Sequence, residues 1–305
     1  MFDGIQIDPV AFTIPIGNGF DIHWYGIIVT LGIAIGVIWA GSEVKKRDGN
    51  VDEFYNGLIL VILSGFVFAR LWYVLQEIIA GRGDQYSSLG ELVNIRAGGL
   101  NILGGFIGAA VVAYIWVRIR KLDFWLYADV AGPALLIAQG VGRWGNFINQ
   151  ELYGPPTDLP WGLLIDAQDR IAPYNDMATY PADTRFHPTF LYESLWLLLG
   201  FALLVFLNSR NRDKWKSGTI FGGFMIWWGI GRAWIEFFRP DQPKFGNSPI
   251  SYSMVLAFLV AIAGVLVILY RYDKLPIGAE ARRRRKRVRK PKPKRDTAAE
   301  ETDSG

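Results

Sequence analysis

The sequence predicts an all-α integral membrane protein of about seven transmembrane helices, with its N-terminus outside, its C-terminus cytoplasmic and a small extracytoplasmic head. Three observations predict it. Hydrophobic side chains make up 51% of the 305 residues and are gathered into runs instead of being scattered. A span needs roughly 20 mostly apolar residues, and six or seven runs meet or approach that length. Lys and Arg concentrate in alternate loops, and one long polar stretch interrupts the runs.

The first run, 22–42, follows Asp3, Asp8 and Asp21 with no Lys or Arg before it, which is the wrong flank for a cleaved signal peptide. It reads as a retained span behind an extracytoplasmic segment, 1–21. The second run, 54–80, contains Arg70, and the third, 98–117, ends at Arg118, Arg120 and Lys121. A fourth begins near Phe124, passes Pro133 and ends in 140–149, where polar residues replace leucines; spans one to four thus occupy 22–150. The stretch 151–187 is rich in Pro, Asp, Thr and Tyr, too polar to span and long enough to form the head. Spans resume within 188–271 as 190–207, 219–238 and 251–270, and 272–305 reads as a basic cytoplasmic tail without fixed structure. No internal repeat is evident.

Positively charged loops are retained on the cytoplasmic side. The loops holding Lys45 to Arg47, Arg118 to Lys121 and Arg210 to Lys216, together with the chain from Arg271 on, carry 23 Lys and Arg, against six on the opposite set: Arg82, Arg96, Arg170, Arg185, Arg239 and Lys244. That places the head and the 140–154 segment outside. The run Arg282 to Arg287, continued to Arg295, could suggest nucleic acid. Beside a final span it faces anionic lipid on the cytoplasmic side, so no nucleic-acid partner is expected.

Cysteine is absent, which excludes disulfides and thiolate metal sites, and the two histidines, His23 and His187, make a histidine metal site unexpected. No cofactor is implied. Arg70, Arg143 and Arg232 lie within apolar runs, and Arg239 ends the sixth. An arginine at bilayer depth costs roughly 2.5–3.5 kcal/mol on insertion scales, so it faces a cavity or a partner. Arg232 has Glu236 one helical turn on, which leaves a satisfied bridge as an alternative to a working cation. Arg70 has Glu77 or a nearby carbonyl as possible partners, while Arg143 has no acid within a turn and Arg239 precedes Pro240, so both offer planar forks to a phosphate. Gly98, Gly99, Gly104, Gly105 and Gly108 are explained by close helix packing. Gly140, Gly142 and Gly145 instead interleave with Arg143, Trp144, Asn146, Asn149 and Gln150, a polar segment suited to a lipid head group.

The segment from Gly142 to Gly154, Gly-Arg-Trp-Gly-Asn-Phe-Ile-Asn-Gln-Glu-Leu-Tyr-Gly, resembles the signature of the prolipoprotein diacylglyceryl transferases of bacterial lipoprotein maturation. Trp24-Tyr25-Gly26, Ala69-Arg70-Leu71, Gly98-Gly99-Leu100, His187-Pro188 with Leu191-Tyr192-Glu193, and Arg232 with Glu236 to Arg239 extend it from the first span to the sixth. The resemblance implies transfer of the diacylglyceryl group of phosphatidylglycerol to the thiol of a lipobox cysteine in a preprolipoprotein signal peptide. It also implies a multi-pass protein of the bacterial cytoplasmic membrane with its active site toward the outer face. On that reading Arg143 and Arg239 form the catalytic clamp; Tyr25, Asn146, Glu151, Gly154, Gly98 and Gly99 bind substrate; and Arg70, Arg232, Glu236 and His187 support them. One departure is Leu103, where many members carry a histidine regarded as a candidate base. His187, Glu151 and Tyr25 remain candidates for that role, and a base can be unnecessary, since a few per cent of a free thiol is thiolate at neutral pH.

Two other readings stay open on the sequence. Buried arginines and glycine-rich helices also serve transporters or flippases of anionic lipids or sugar phosphates, although these favour repeats. A non-catalytic anchor with a recruiting basic tail is the third.

Overall fold

The apolar runs fold as helices in a computed structural model that describes residues 7–15, 19–86, 88–94, 98–240, 242–246 and 248–275. A hairpin of β1 (Val10–Ile14) and β2 (Phe20–His23) leads into α1 (Trp24–Lys46). Helices α2 (Val51–Ile79), α3 (Leu89–Val93), α4 (Ile102–Ile119) and α5 (Phe124–Ile148) follow. The head contains the antiparallel pair β3 (Leu163–Leu164) and β4 (Arg185–Phe186), and α6 (Thr189–Asn211), α7 (Thr219–Ile235) and α8 (Tyr252–Arg271) complete the chain. The basic tail from residue 276 on lies outside the described residues.

Six helices, α1, α2, α4, α5, α6 and α8, are long and apolar enough to cross a membrane, so the chain is a multi-pass membrane protein. The remaining expected span is α7, whose 17 residues are prolonged by a 3-10 turn at Glu236–Phe238. Three boundaries differ from expectation by four residues: α1 and α6 run on to Lys46 and Asn211, past the expected 42 and 207, and the start of the third span is displaced. The third span does not begin at Gly98, because Gly98 and Gly99 take left-handed φ of 82° and 79° and form a turn. The helix starts at Ile102, capped by the Asn101 side chain, which accepts from the Leu103 and Gly104 N–H groups at 2.9 and 3.2 Å.

Lipid gives little apolar drive for helix association, so close approach through small residues supplies the packing. A Cβ on Gly32 or Gly36 of α1 would lie 2.6 or 2.8 Å from the Ala138 or Ala134 carbonyl oxygen of α5. Helix α5 also packs on α6 and α7, α7 on α8, and α2 on α4. The α2–α4 hairpin is tied to the rest at the end where Asn50 exchanges hydrogen bonds of 3.1 and 3.0 Å with the Tyr127 hydroxyl. At this same end a buried polar cluster joins three helices: Glu43 of α1, Asp129 of α5 and Asn208 of α6 surround Arg47, with Arg212 bonded to Glu43 at 2.9 Å. Asp129 further accepts the Gly218 and Phe221 N–H groups, both at 2.8 Å, and so caps the start of α7.

The head has its own apolar core of Tyr153, Leu163, Ile165, Tyr174 and Phe186, on which Phe190 of α6 packs. Arg170 is buried within it and donates to the carbonyls of Ile165, Tyr180, Pro181 and Ala182, fixing the loop 165–182 around one guanidinium.

Candidate active site

The up-and-down path of the helices brings the start of α1, the end of α5, the start of α6, the end of α7 and the start of α8 to the end opposite the Glu43 cluster. Most residues singled out from the sequence meet there. Arg143, in the last turns of α5, bonds through Nη1 to Asn146 Oδ1 at 3.2 Å and pairs through Nε with Glu193 of α6. The lack of an acid within a turn of Arg143 is therefore made good from another helix, 50 residues along the chain. Among the described residues Nη2 has no protein partner, and 24% of the side chain is exposed.

Asn146 is 5% exposed and bonded on both sides of its amide: Oδ1 accepts from Arg143 while Nδ2 donates to Glu151 Oε1 at 2.7 Å. Asn149 donates to the same Glu151 oxygen at 3.3 Å, leaving Oε2 of this exposed residue without a partner among the described residues. The backbone explains why Glu151 turns back. Helix α5 ends in a paired-bond stop in which the Gln150 N–H reaches the Phe147 carbonyl and the Glu151 N–H reaches the Asn146 carbonyl, at 3.1 and 3.0 Å. The residue between must adopt left-handed φ, usually a glycine position; here it is Gln150, at 50°. Its side chain is held in return by Asp166 of the head, Nε2 donating to Oδ2 and Oε1 accepting the Asp166 N–H, both at 2.8 Å. Leu152 is left-handed as well, at 58°, and its carbonyl is held by the Thr189 hydroxyl.

Glu193 also accepts from Arg232 Nη1 at 3.1 Å, so one carboxylate joins Arg143 to Arg232. Arg232 reaches Glu236 through Nη2, the i,i+4 bridge anticipated from the sequence, and Glu236 accepts the Ser251 hydroxyl at 2.7 Å. The result is an alternating row of charges, Arg143, Glu193, Arg232, Glu236, crossing α5, α6 and α7 to the cap of α8. Arg239 is buried at 8% exposure, donates its N–H to the Glu236 carbonyl at 3.1 Å, and lies with Arg143 within Coulombic reach of Arg232. Tyr25 packs on Gly145, where a Cβ would fall 2.7 Å from its ring. Gly154 sits where the head meets the body: its Cβ position is 2.8 Å from His187 Cβ and 3.1 Å from the Phe238 carbonyl oxygen.

His187 occupies an aromatic box with Tyr192 and Phe238, and Tyr192, whose hydroxyl accepts from Trp161 at 2.9 Å, is 3.1 Å from His187 Nδ1. Burial lowers the His187 pKa, which favours the uncharged ring, and its Nδ1 shares a hydrogen bond with the Tyr192 hydroxyl. Arg70, Gly98 and Gly99 form a second set on the α2–α4 hairpin. Arg70 is buried and donates to the carbonyls of Leu92, Gly98, Gly99 and Glu91 at 2.8–3.1 Å, while Glu77, its acidic alternative, pairs with Arg82. Arg70 thus fixes the glycine turn. Leu103 is half exposed on the first turn of α4. Among the described residues no group of three or more His, Asp or Glu could hold a metal.

Glu193, Gln150 and Asp166 were not singled out as site residues from the sequence. Glu193 did carry a signal, being an acid inside an apolar run, the criterion that selects the arginines.

The family model described as prolipoprotein diacylglyceryl transferase matches residues 9–270. A phosphatidylglycerol–prolipoprotein diacylglyceryl transferase of Listeria monocytogenes is 39% identical over 277 residues, covering 90% of this chain and 94% of its own length. Proteins of the same name from Chloroflexus aggregans and Clostridium perfringens are 39% and 34% identical, covering 76% and 88% of this chain and 77% and 97% of theirs. Motif, helical membrane architecture and near-full-length similarity agree, and the chain belongs to the prolipoprotein diacylglyceryl transferase family.

Proposed function

We propose that this chain transfers the diacylglyceryl group of phosphatidylglycerol to the thiol of a lipobox cysteine in a preprolipoprotein, releasing glycerol 1-phosphate. The observation that carries the reading is the Arg143 guanidinium, oriented by Asn146 and Glu193 with Nη2 left for a ligand. In the reaction the sulfur attacks the glycerol carbon that bears the phosphate, a C–S bond forms, and the C–O bond to phosphate breaks. Negative charge grows on the leaving phosphate oxygens, so a cation already in place lowers the barrier more than it stabilises the bound lipid. Arg143 is one arm of the clamp and Arg239 the other, with Arg232 adding field beside them. Tyr25, Asn146 and Gly154 shape the space for the head group, and the Gly98–Gly99 segment, held by Arg70, offers a second contact for substrate on the α2–α4 hairpin.

The thiol proton goes to Glu151. Its Oε2 has no protein partner among the described residues, whereas Nδ1 of His187 is engaged by Tyr192, which ranks Glu151 ahead as the acceptor. The absence of cysteine in the chain leaves the substrate thiol as the only nucleophilic sulfur.

The same reading gives sidedness and domains. The loops between α1 and α2, α4 and α5, and α6 and α7 carry the cationic excess and face the cytoplasm, so the site and the 151–187 head face outward across a bacterial cytoplasmic membrane. The test is incubation with phosphatidylglycerol labelled in its glycerol groups and a lipobox peptide. Labelled glycerol 1-phosphate and a thioether-linked peptide are expected in equal amounts, and none with the peptide's cysteine replaced by serine. Lipid movement between leaflets without thioether product would instead favour a transporter.

A further inference from the structure

The hairpin before α1 has two chemically distinct faces, and the apolar one carries two exposed phenylalanines. Directly opposed residues of an antiparallel pair point to the same side. Phe12 lies opposite Ile22 and Ile14 opposite Phe20, so these four apolar side chains share one face. Thr13 lies opposite Asp21 on the other, bonded hydroxyl to carboxylate at 2.6 Å. Phe12 and Phe20 are 54% and 59% exposed, so the described residues leave the apolar face largely uncovered.

The hairpin is fastened at the membrane boundary. β2 runs into α1 without a break, and the Trp24 N–H donates to the Pro9 carbonyl at 2.9 Å, tying the first strand to the first helical turn. Below it, Trp24, Tyr25 and Leu31 are exposed along α1 and belong to the surface that meets lipid. Because β2 leads directly into the first turn of that helix, the Phe12 and Phe20 face stands at the end of the span, and aromatic side chains above a span collect where hydrocarbon gives way to head groups. A water-facing hairpin would have no reason to sort Thr13 and Asp21 from two exposed phenylalanines at this position.

We infer that the β1–β2 hairpin is an interfacial anchor, its Phe12 and Phe20 face seated among the lipids at the mouth of the site and its Thr13 and Asp21 face turned to water. The partner is a phospholipid surface. The inference rests on the membrane reading of α1 and not on the transferase reading. It also gives the hairpin a role: Tyr25, packed on Gly145, follows β2 by two residues, so the seat of the hairpin sets the depth at which Tyr25 meets a lipid head group.

Because the chain has no cysteine, single cysteines can be introduced without background. Phe12→Cys, Ile14→Cys, Phe20→Cys, Thr13→Cys and Asp21→Cys would each be spin-labelled in the full chain in phosphatidylglycerol-containing vesicles, with Leu31→Cys as the lipid-exposed reference. Collision with oxygen, which partitions into lipid, is compared with collision with a water-soluble nickel chelate. Labels at 12 and 20 are expected to favour oxygen several-fold over those at 13 and 21, approaching the value at 31, with position 14 following 12 and 20 should either of those variants fail to fold. Equal, water-like values at all five hairpin positions overturn the inference. So do labels at 12 and 20 that are immobilised and shielded from both reagents, which would mean that a protein covers the face. Transfer activity is measured separately, so an inactive but lipid-seated hairpin would count against the transferase reading alone.

Discussion

Arg143 has an amide on Nη1 and a carboxylate on Nε, while Nη2 has no hydrogen-bond partner among the described residues and the side chain is 24% exposed. A lysine has one point charge and no fork, so it cannot keep both protein partners and still face a phosphate. Arg143→Ala and Arg143→Lys are therefore both expected to lower kcat by roughly 10²-fold or more, in folded protein still found in the membrane; a lysine variant within a few-fold of wild type in the lipobox-peptide assay would remove Arg143 from the clamp. Gln150 gives a sharper test of local strain. Its left-handed backbone costs about 1–2 kcal/mol in a residue with a Cβ, offset by two hydrogen bonds to Asp166 of about 1 kcal/mol each. Gln150→Ala retains the strain and loses the bonds, whereas Gln150→Gly loses both. The alanine variant is expected to melt below wild type and the glycine variant close to it, and equal melting points for the two would refute the strain account. The third residue-scale expectation concerns pH. The folded His187 pKa is depressed below 6.5 by burial, so on acidification the unfolded chain takes up a proton before the native one does. Stability from this group is full above 6.5 and falls as pH drops below it, and the melting temperature of His187→Gln is expected to fall less than that of wild type between neutral pH and the lowered His187 pKa.

At the scale of elements, the ends of the helices carry more information than their apolar middles. Five stop with a left-handed residue just past the last turn: Asp48, Gly81, Lys121, Gln150 and Asp273. Only one of them is glycine, yet the polar and basic residues around them marked the stops: the expected ends at 42, 80, 117, 149 and 270 lie within four residues of the observed Lys46, Ile79, Ile119, Ile148 and Arg271. The start of α7 depends on Asp129 of α5, which accepts two of its backbone N–H groups and faces Arg47 at 3.5 Å. Asp129→Ala leaves those two donors without an acceptor, while Arg47 keeps Glu43 and Asn208, and is expected to cost about 1–3 kcal/mol for each buried donor left unmade, read as a large fall in melting temperature in detergent. Asp129→Asn keeps one acceptor and is expected to fall between. If both variants melt like wild type, the cluster does not fasten α7. Asp129 and Glu193 sat in apolar runs as plainly as the arginines did, so the signal was present; what the sequence lacked was the helix that each would face.

For the whole molecule, the two ends of the bundle are chemically different: one closed by the saturated Glu43 and Asp129 cluster, the other by a charge row with a partly open guanidinium. Every residue assigned to the site lies between Tyr25 and Arg239, within the 9–270 match to the family. Truncation after residue 275 is therefore expected to leave transfer per membrane-inserted molecule unchanged, and a loss above tenfold would give the basic tail a part in the reaction. Leu103→His is likewise expected to bring no large gain, because in the proposed reaction Glu151, whose Oε2 has no partner among the described residues, takes the thiol proton; a gain above tenfold would show that the reaction lacks a base.

Hydrophobic runs and Lys and Arg placement act nearly independently along the chain, each residue contributing its own cost of transfer into lipid. That is why the sequence alone could place the membrane helices, the polar head and the expected sidedness, and why a continuous motif such as 142–154 was readable by eye. Pairings between helices are not additive in this way. Whether Arg143 meets Glu193, whether Arg70 grips carbonyls instead of Glu77, and whether Gln150 reaches Asp166 depend on how neighbouring helices and the head are rotated against one another. That rotation is decided by small-residue contacts such as Gly32 on Ala138 and Gly145 on Tyr25, and only the tertiary structure resolved which charges are partnered among the described residues.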